Sequence, residues 1–262
     1  MSPMSFQEFE PPPGLREHVA CYWGAEIGAV EAGHMHQVIP DGCVGLIATR
    51  RSDDSTHLTL QGPRLDALWI PVHEGDRFWG VRFWPDAGAL LLGRPAPELL
   101  GRLEPAATIL GPPAAYLAAR LADCDTAAAA SAEWGVLLGP MVSACRPLDV
   151  VVRTAVLAIV AARGEAPLAD LATAVGLGPR QLQRRFSAAV GLSPKQFARV
   201  RRLRGALSHV VKGSPVSWAA VAADLGFADQ AHLIREFGAL AGLTPVAVAE
   251  RVRQIGLDGV RP

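Results

Sequence analysis

Residues 184–198, RRFSAAVGLSPKQFA, recur 51 positions later as REFGALAGLTPVAVA at 235–249. Seven of the fifteen positions are identical: Arg184/Arg235, Phe186/Phe237, Ala188/Ala239, Gly191/Gly242, Leu192/Leu243, Pro194/Pro245 and Ala198/Ala249. Similarity at a fixed offset means one supersecondary unit used twice. Each copy reads as the end of a helix, a glycine stop and a newly capped helix. Pro167 suits a first helical turn, because its missing N–H has no partner to lose there. Leu168–Val175 then predicts a short helix ended by Gly176, and Pro179–Val190 a second helix ended by Gly191. Ser193-Pro194 starts a long third helix reaching about Val211. In the second copy Ser217–Leu225 is the short helix, Gly226 its stop and Asp229 the N-cap of a helix over Gln230–Ala241. A short helix, a tight turn and a second helix make a helix-turn-helix, so the repeat predicts two of them.

Charge separates this region from the rest. The 262 residues sum to zero formal charge. Residues 1–146 carry 10 Lys+Arg against 17 Asp+Glu, and residues 147–262 carry 15 against 8. Between Asp170 and Asp224 there is no acid and there are nine basic residues. An acidic front joined to a basic back implies two domains, the second facing an anionic partner. At 100° per residue, Leu182 and Phe186 point into the core while Arg180, Gln183, Arg184 and Ser187 lie opposite. Arg and Gln side chains can read guanine and adenine edges in the major groove. In the second copy Leu233 and Phe237 face inward. The outer face there carries Ala231, Ile234, Arg235 and Gly238, with Gln230 near the start. Arg185 sits on the flank of the first of these helices and Ser187 on its outer face, and Lys195, Arg199 and Arg201 follow on the connecting helix. These five are the expected phosphate contacts. Arg202 fits either a phosphate or an internal ion pair.

Residues 148–255 resemble the DNA-binding domain of the AraC/XylS family of bacterial transcription regulators. The features that carry the resemblance are LADLATAVGLGPRQLQRRFSAAVGLSPKQF, the basic helix with Arg202 and Ala206, and VAADLGFADQAHLIREFGALAGLTP. The resemblance implies two helix-turn-helix subdomains bridged by one long helix, each placing a recognition helix in successive major grooves. It implies base contacts from Arg180, Gln183, Arg184, Gln230, Ala231, Ile234 and Arg235. The implied partners are double-stranded DNA, RNA polymerase, an unknown small-molecule effector and a second copy of the chain.

The front half reads differently. Short apolar runs at Val38–Ile39, Val44–Ala48, Leu58–Leu60, Leu68–Val72 and Trp79–Trp84 alternate with Gly, Pro and Asp turns, which predicts a small barrel or sandwich. Helical texture begins near Ala87 and continues through Ala114–Ala122 and Ala127–Leu138, punctuated by Pro112-Pro113 and Pro140. Tyr22-Trp23, Ile39-Pro40-Asp41-Gly42-Cys43 and Gly80-Val81-Arg82-Phe83-Trp84-Pro85 resemble an uncharacterised sensor domain attached to some AraC-type regulators, which implies a cupin-like barrel. The expected fold is α+β. A small N-terminal cupin-like β-barrel domain (1–110) and a helical linker or dimerisation region (111–147) precede an all-α double helix-turn-helix domain (148–256).

Trp23, His36, Trp69, Trp79, Arg82 and Trp84 are the candidate pocket residues, since clustered aromatics with a cation can line a ligand site. Gly28-x5-His34-x-His36-x4-Asp41 is similar to the first metal motif of cupins, with His73 a candidate third ligand beside His34 and His36. That leaves a cupin-type metal-dependent enzyme or metal sensor as the alternative reading. No Ser/His/Asp or Cys/His triad emerges from spacing, so neither catalysis nor a cofactor is expected. The start, MSPMSFQEFEPPPG, lacks the basic and apolar regions of a signal peptide. The longest apolar stretch, Thr154–Ala162, is far short of a bilayer span. The four scattered cysteines suit reduced thiols in the cytosol. A cytoplasmic regulator with no membrane partner is the expectation.

Overall fold

The computed structural model describes residues 4–29, 33–211 and 217–255. The front half contains eight strands among the described residues: β1 (Met4–Phe9), β2 (Val19–Ile27), β3 (Met35–Val38), β4 (Gly45–Arg50), β5 (Thr56–Gln61), β6 (Leu68–Pro71), β7 (Arg77–Phe83) and β8 (Leu103–Pro105). They form a six-stranded antiparallel sheet in the order β1-β2-β7-β4-β5-β8 and a two-stranded sheet β3-β6. The strand-rich expectation holds, but among the described residues no ladder joins the two sheets into a closed barrel. They face each other as layers.

Strand parity sorts the side chains between those layers. Tyr22, Leu46, Ala48, Trp79, Val81 and Phe83 point to one face of the large sheet and pack with Leu117, Leu121, Trp134 and Leu138. These last residues belong to α4 (Pro113–Ala122) and α5 (Ala127–Ser143), which follow α1 (Gly88–Leu91), α2 (Ala96–Leu99) and α3 (Ala107–Leu110). The helices of the 111–147 segment thus share a core with the sheet. On the opposite face Ala25, Ile27 and Phe78 meet Val72, with Phe6, Trp23, Ile47 and Ile70 around them. α5 runs past Pro140, which sequence reading took as a break. The carbonyl that a proline leaves without a donor is the one four residues earlier, here at Val136, which is 64% exposed and open to water.

The back half is helical. α6 (Val150–Ala161), α7 (Leu168–Ala174), α8 (Pro179–Val190), α9 (Pro194–Val211), α10 (Trp218–Asp224), α11 (Gln230–Ala241) and α12 (Pro245–Ile255) reproduce the repeat element for element. The expected weak tail, Gly256–Pro262, lies outside the described residues. Gly191 and Gly242 both end their helices in the left-handed region, at φ 81° and 68°. Asp229 caps α11 as expected, its carboxylate accepting the His232 amide at 2.6 Å. Ser193 and Gln196 form a reciprocal capping box at the start of α9, each accepting the other's backbone N–H at 2.9 and 3.2 Å. Each helix-turn-helix has its own core. One is built around Leu182, Phe186, Val190 and Phe197, the other around Leu233, Phe237, Leu240 and Val248. No helix of the described residues is long and apolar enough to cross a membrane.

Candidate nucleic-acid interface and sensor cavity

The helix expected to read DNA in the first copy is α8 (Pro179–Val190). Its inward residues Leu182, Phe186 and Val190 are fully buried, which fixes the opposite face. Arg180, Gln183, Arg184 and Ser187 gather there around one shallow dip. The first three are exposed, and none of the four makes a side-chain hydrogen bond or ion pair among the described residues. The helix equivalent in the second copy, α11, exposes Gln230, Ala231, Ile234 and Arg235, with Ile234 at 41% exposure. The same scaffold therefore presents a polar, donor-rich face once and a mostly apolar face once.

The expected phosphate contacts divide. Lys195 is exposed at the start of α9 and Ser187 borders the dip. Arg185 is already paired within the domain. Its guanidinium grips both oxygens of Asp149 at 2.7–3.0 Å, and Asp149 in turn caps α6 through the amides of Val151 and Val152. Arg199 donates to Glu236 at 2.7 Å, tying the linker helix to α11. Arg201 is 8% exposed and packed against the front half, where burial lowers its pKa. The spacing that makes these three arginines expected phosphate contacts does not reveal what they meet: Arg185 and Arg199 pair with acids 36 and 37 residues away, and Arg201 is buried against the front half. Arg202 is also internal, its guanidinium 5.3 Å from the Phe227 ring centroid.

The front and back halves are packed together at several points. Arg153 of α6 donates to Asp86 at 2.9 Å and to the Glu17 carbonyl, and lies 5.5 Å over the Trp84 ring. Gln37 on β3 donates to the Ala241 carbonyl at the end of α11. Arg251 lies 4.5 Å over Trp69. A side chain at Gly42 would collide with the Phe197 ring. Asp41-Gly42-Cys43, noticed in the sequence as a sensor-domain mark, is therefore a docking surface for α9. Its Asp41 accepts the Cys43 amide at 2.9 Å and Arg82 Nε at 2.7 Å.

Between the two sheets lies a cavity of about 380 Å³, within the ordinary size range of small-molecule sites. Trp23, His36 and Arg82 line it, as expected from the sequence. Trp79, Trp69 and Trp84 do not. Trp79 has the parity of Val81 and Phe83 and faces α5 in the other core. Trp69 stands at the surface beneath Arg251. Trp84 ends its strand at the junction between the halves and donates Nε1 to the Arg16 carbonyl at 2.9 Å. Sequence reading missed Glu8, Asp41, Arg204 and Leu207, which complete the cavity wall. The last two belong to α9, so the linker helix of the back half closes a cavity of the front half.

The proposed metal trio is not brought together. His34 is exposed, His73 turns toward Asp76 at 3.4 Å, and His36 lies in the cavity wall. Burial, followed by the neighbouring His34 and Arg251, lowers the His36 pKa to about 4. Among the described residues no three His, Cys, Asp or Glu side chains converge to hold a metal.

Two helix-turn-helix units, the first with an exposed Arg/Gln face, fit a DNA-binding transcription regulator. Residues 171–251 match the family described as a helix-turn-helix domain, and residues 7–105 match a domain of unknown function, DUF6597. The chain carries an AraC-type helix-turn-helix domain at its C-terminus and a DUF6597 domain before it. No curated protein sequence matches it significantly. Solved structures of ToxT from Vibrio cholerae are distantly similar. One is 10% identical with a TM-score of 0.43, covering 94% of this chain and 97% of that one. Another is 10% identical with a TM-score of 0.45, covering 96% and 98%. A third, of unsaturated fatty acid bound wild-type ToxT, is 10% identical with a TM-score of 0.44, covering 84% and 92%.

Proposed function

We propose that the chain binds a specific DNA site by inserting α8 and α11 into successive major grooves on one face of the duplex, about one helical turn apart. A small molecule in the front-half cavity controls that binding. The functional units are 1–110 as sensor, 111–147 as a helical segment available for pairing with a second copy, and 148–256 as DNA reader. The observation that carries this reading is the unpartnered cluster of Arg180, Gln183 and Arg184 around one dip on α8. Arginine and glutamine held outward with no internal partner are free to make bidentate contacts with guanine and adenine. Phosphate contacts come from Lys195 and Ser187. Arg199 acts as an internal tie to Glu236, and Arg201 is buried.

The test is selection of bound sequences from random DNA with the full chain, repeated in the presence of candidate small molecules. The expected result is an enriched asymmetric site whose better-defined half is contacted by α8. Enrichment of no sequence over random DNA would overturn the reading.

A further inference from the structure

We propose that the inter-sheet cavity takes an amphipathic organic anion, its apolar body among Phe6, Trp23, Ile47 and Phe78 and its charged head against Arg204 of the linker helix. This deepens the reading of the front half as a sensor and rests on it. Most of the wall is apolar: Phe6, Trp23, Ile47, Ile70 and Phe78 all border the space. The charged groups on the wall are Glu8, Asp41, Arg51, Arg82 and Arg204. Arg51 is paired with Asp76. Arg82 takes both remaining carboxylates, bonding Glu8 at 3.2 Å and Asp41 at 2.7 Å. Arg204 is left over. It is 7% exposed, and its Nε has no hydrogen-bond partner. Arg201, one turn earlier, is 8% exposed with an equally unpartnered Nε. Three guanidiniums therefore share two carboxylates beside a largely apolar cavity.

Among the described residues nothing else lining the cavity supplies negative charge. Cys21 and Cys43 are buried thiols whose pKa values burial raises, so both stay neutral. Burial, with Arg82 and Arg201 adding repulsion, lowers the Arg204 pKa only to about 10, which leaves it charged at neutral pH. An isolated buried cation is strongly unfavourable until an anion pairs with it. A planar carboxylate is the matching shape, since a guanidinium can bond both its oxygens. The apolar remainder of the cavity selects a hydrocarbon body over an inorganic ion. The anion would then bridge the halves, its body held by the sheets and its head by α9.

The test uses the full chain and two matched probe pairs, octanoate with 1-octanol and 2-naphthoate with 2-naphthol. Binding is read by calorimetry and by Trp emission, because Trp23 borders the cavity. At least one anion should bind tenfold or more tighter than its neutral counterpart. Arg204→Met should shrink that ratio to about twofold while keeping affinity for the neutral probe, and Arg204→Lys should preserve most of the ratio. Retained neutral binding shows that the Met variant is folded. Equal binding of anion and neutral probe by the native chain overturns the proposal, as does an undiminished ratio in Arg204→Met. Binding of no probe overturns it together with the sensor assignment. A sequence-selective gel shift on the same preparations is read separately, so failure of DNA reading is not confused with either result.

Discussion

The two helix-turn-helix units share a backbone plan and differ in nearly everything placed on it. Both end in a left-handed glycine and both bury a leucine and a phenylalanine four residues apart. In the first, the rings of Phe186 and Phe197 lie 5.9 Å apart; in the second, Trp218 stands edge-on to Phe237 at 5.7 Å. Outside, Arg180, Gln183 and Arg184 face Ala231, Ile234 and Arg235 in equivalent positions. The lesson is that duplication preserved the inward half of each helix, where close packing leaves little choice, and released the outward half.

The comparison can be broken first at the core. Phe186→Ala and Phe237→Ala should each destabilise the chain by about 3–5 kcal/mol, the usual cost of emptying a buried aromatic site. Both rings are fully buried, so denaturant melts should show similar losses. A loss confined to one copy would end the claim of equal scaffolds.

The next effect concerns base reading. Arg184→Ala and Gln183→Ala should each weaken the specific site by about 1–3 kcal/mol and relax preference at one base pair. Ile234→Ala, opposite Gln183 in the repeat, should change affinity by only about 0.5 kcal/mol. Gel shifts on specific and random DNA decide this, and equal losses on both for Arg184→Ala would remove its base-reading role.

A smaller effect separates surface charge from internal ties. Lys195→Ala should reduce the salt slope of binding by about one unit, as expected for one lost phosphate contact. Arg199→Ala should leave the slope nearly unchanged, because its guanidinium is committed to Glu236. Titration against salt concentration measures both, and a one-unit drop for Arg199→Ala would show that the ion pair opens on DNA.

A pH-dependent effect lies where the second copy meets the front half. His36 neighbours Gln37, whose amide holds the end of α11, and it feels the charge of Arg251. Its pKa falls from 6.5 to about 4 on folding, so between these values the unfolded chain binds the proton and the folded chain does not. Stability therefore declines as pH drops from 6.5 toward 4. Thermal midpoints across this range should fall less steeply for His36→Gln, and identical slopes would defeat the assignment.

The back half was almost wholly legible in the sequence. Its helix boundaries at Pro179–Val190 and Gln230–Ala241, and its cap at Asp229, are set by local glycine, proline and capping chemistry that a reader can see. The partners of Arg185, Arg199 and Arg201 were not legible, because they depend on which distant acid or wall each guanidinium meets. In the front half the strands at 45–50 and 56–61 were visible as apolar runs. β1 was not, since MSFQEF alternates weakly and precedes a proline run. The closed barrel was inferred from likeness, and the actual layering follows from ladders that no local signal encodes. Trp79 shows the same limit: its aromatic character suggested a pocket, but strand parity turned it to the other core.

The helix-stopping glycines at 191 and 242 have one further consequence. A methyl group at Gly242 would meet nothing within 4 Å, whereas at Gly191 it would lie 2.7 Å from the Ala96 carbonyl oxygen of the sensor. The left-handed turn at 242 could be handed to asparagine, which tolerates that conformation, at the cost of local backbone preference alone. The same exchange at 191 would wedge the two halves apart. One stop signal of the duplicated unit has become a hinge-pin whose replacement tolerance depends on whether the front half is present. Removing the front half would restore the symmetry that the repeat began with.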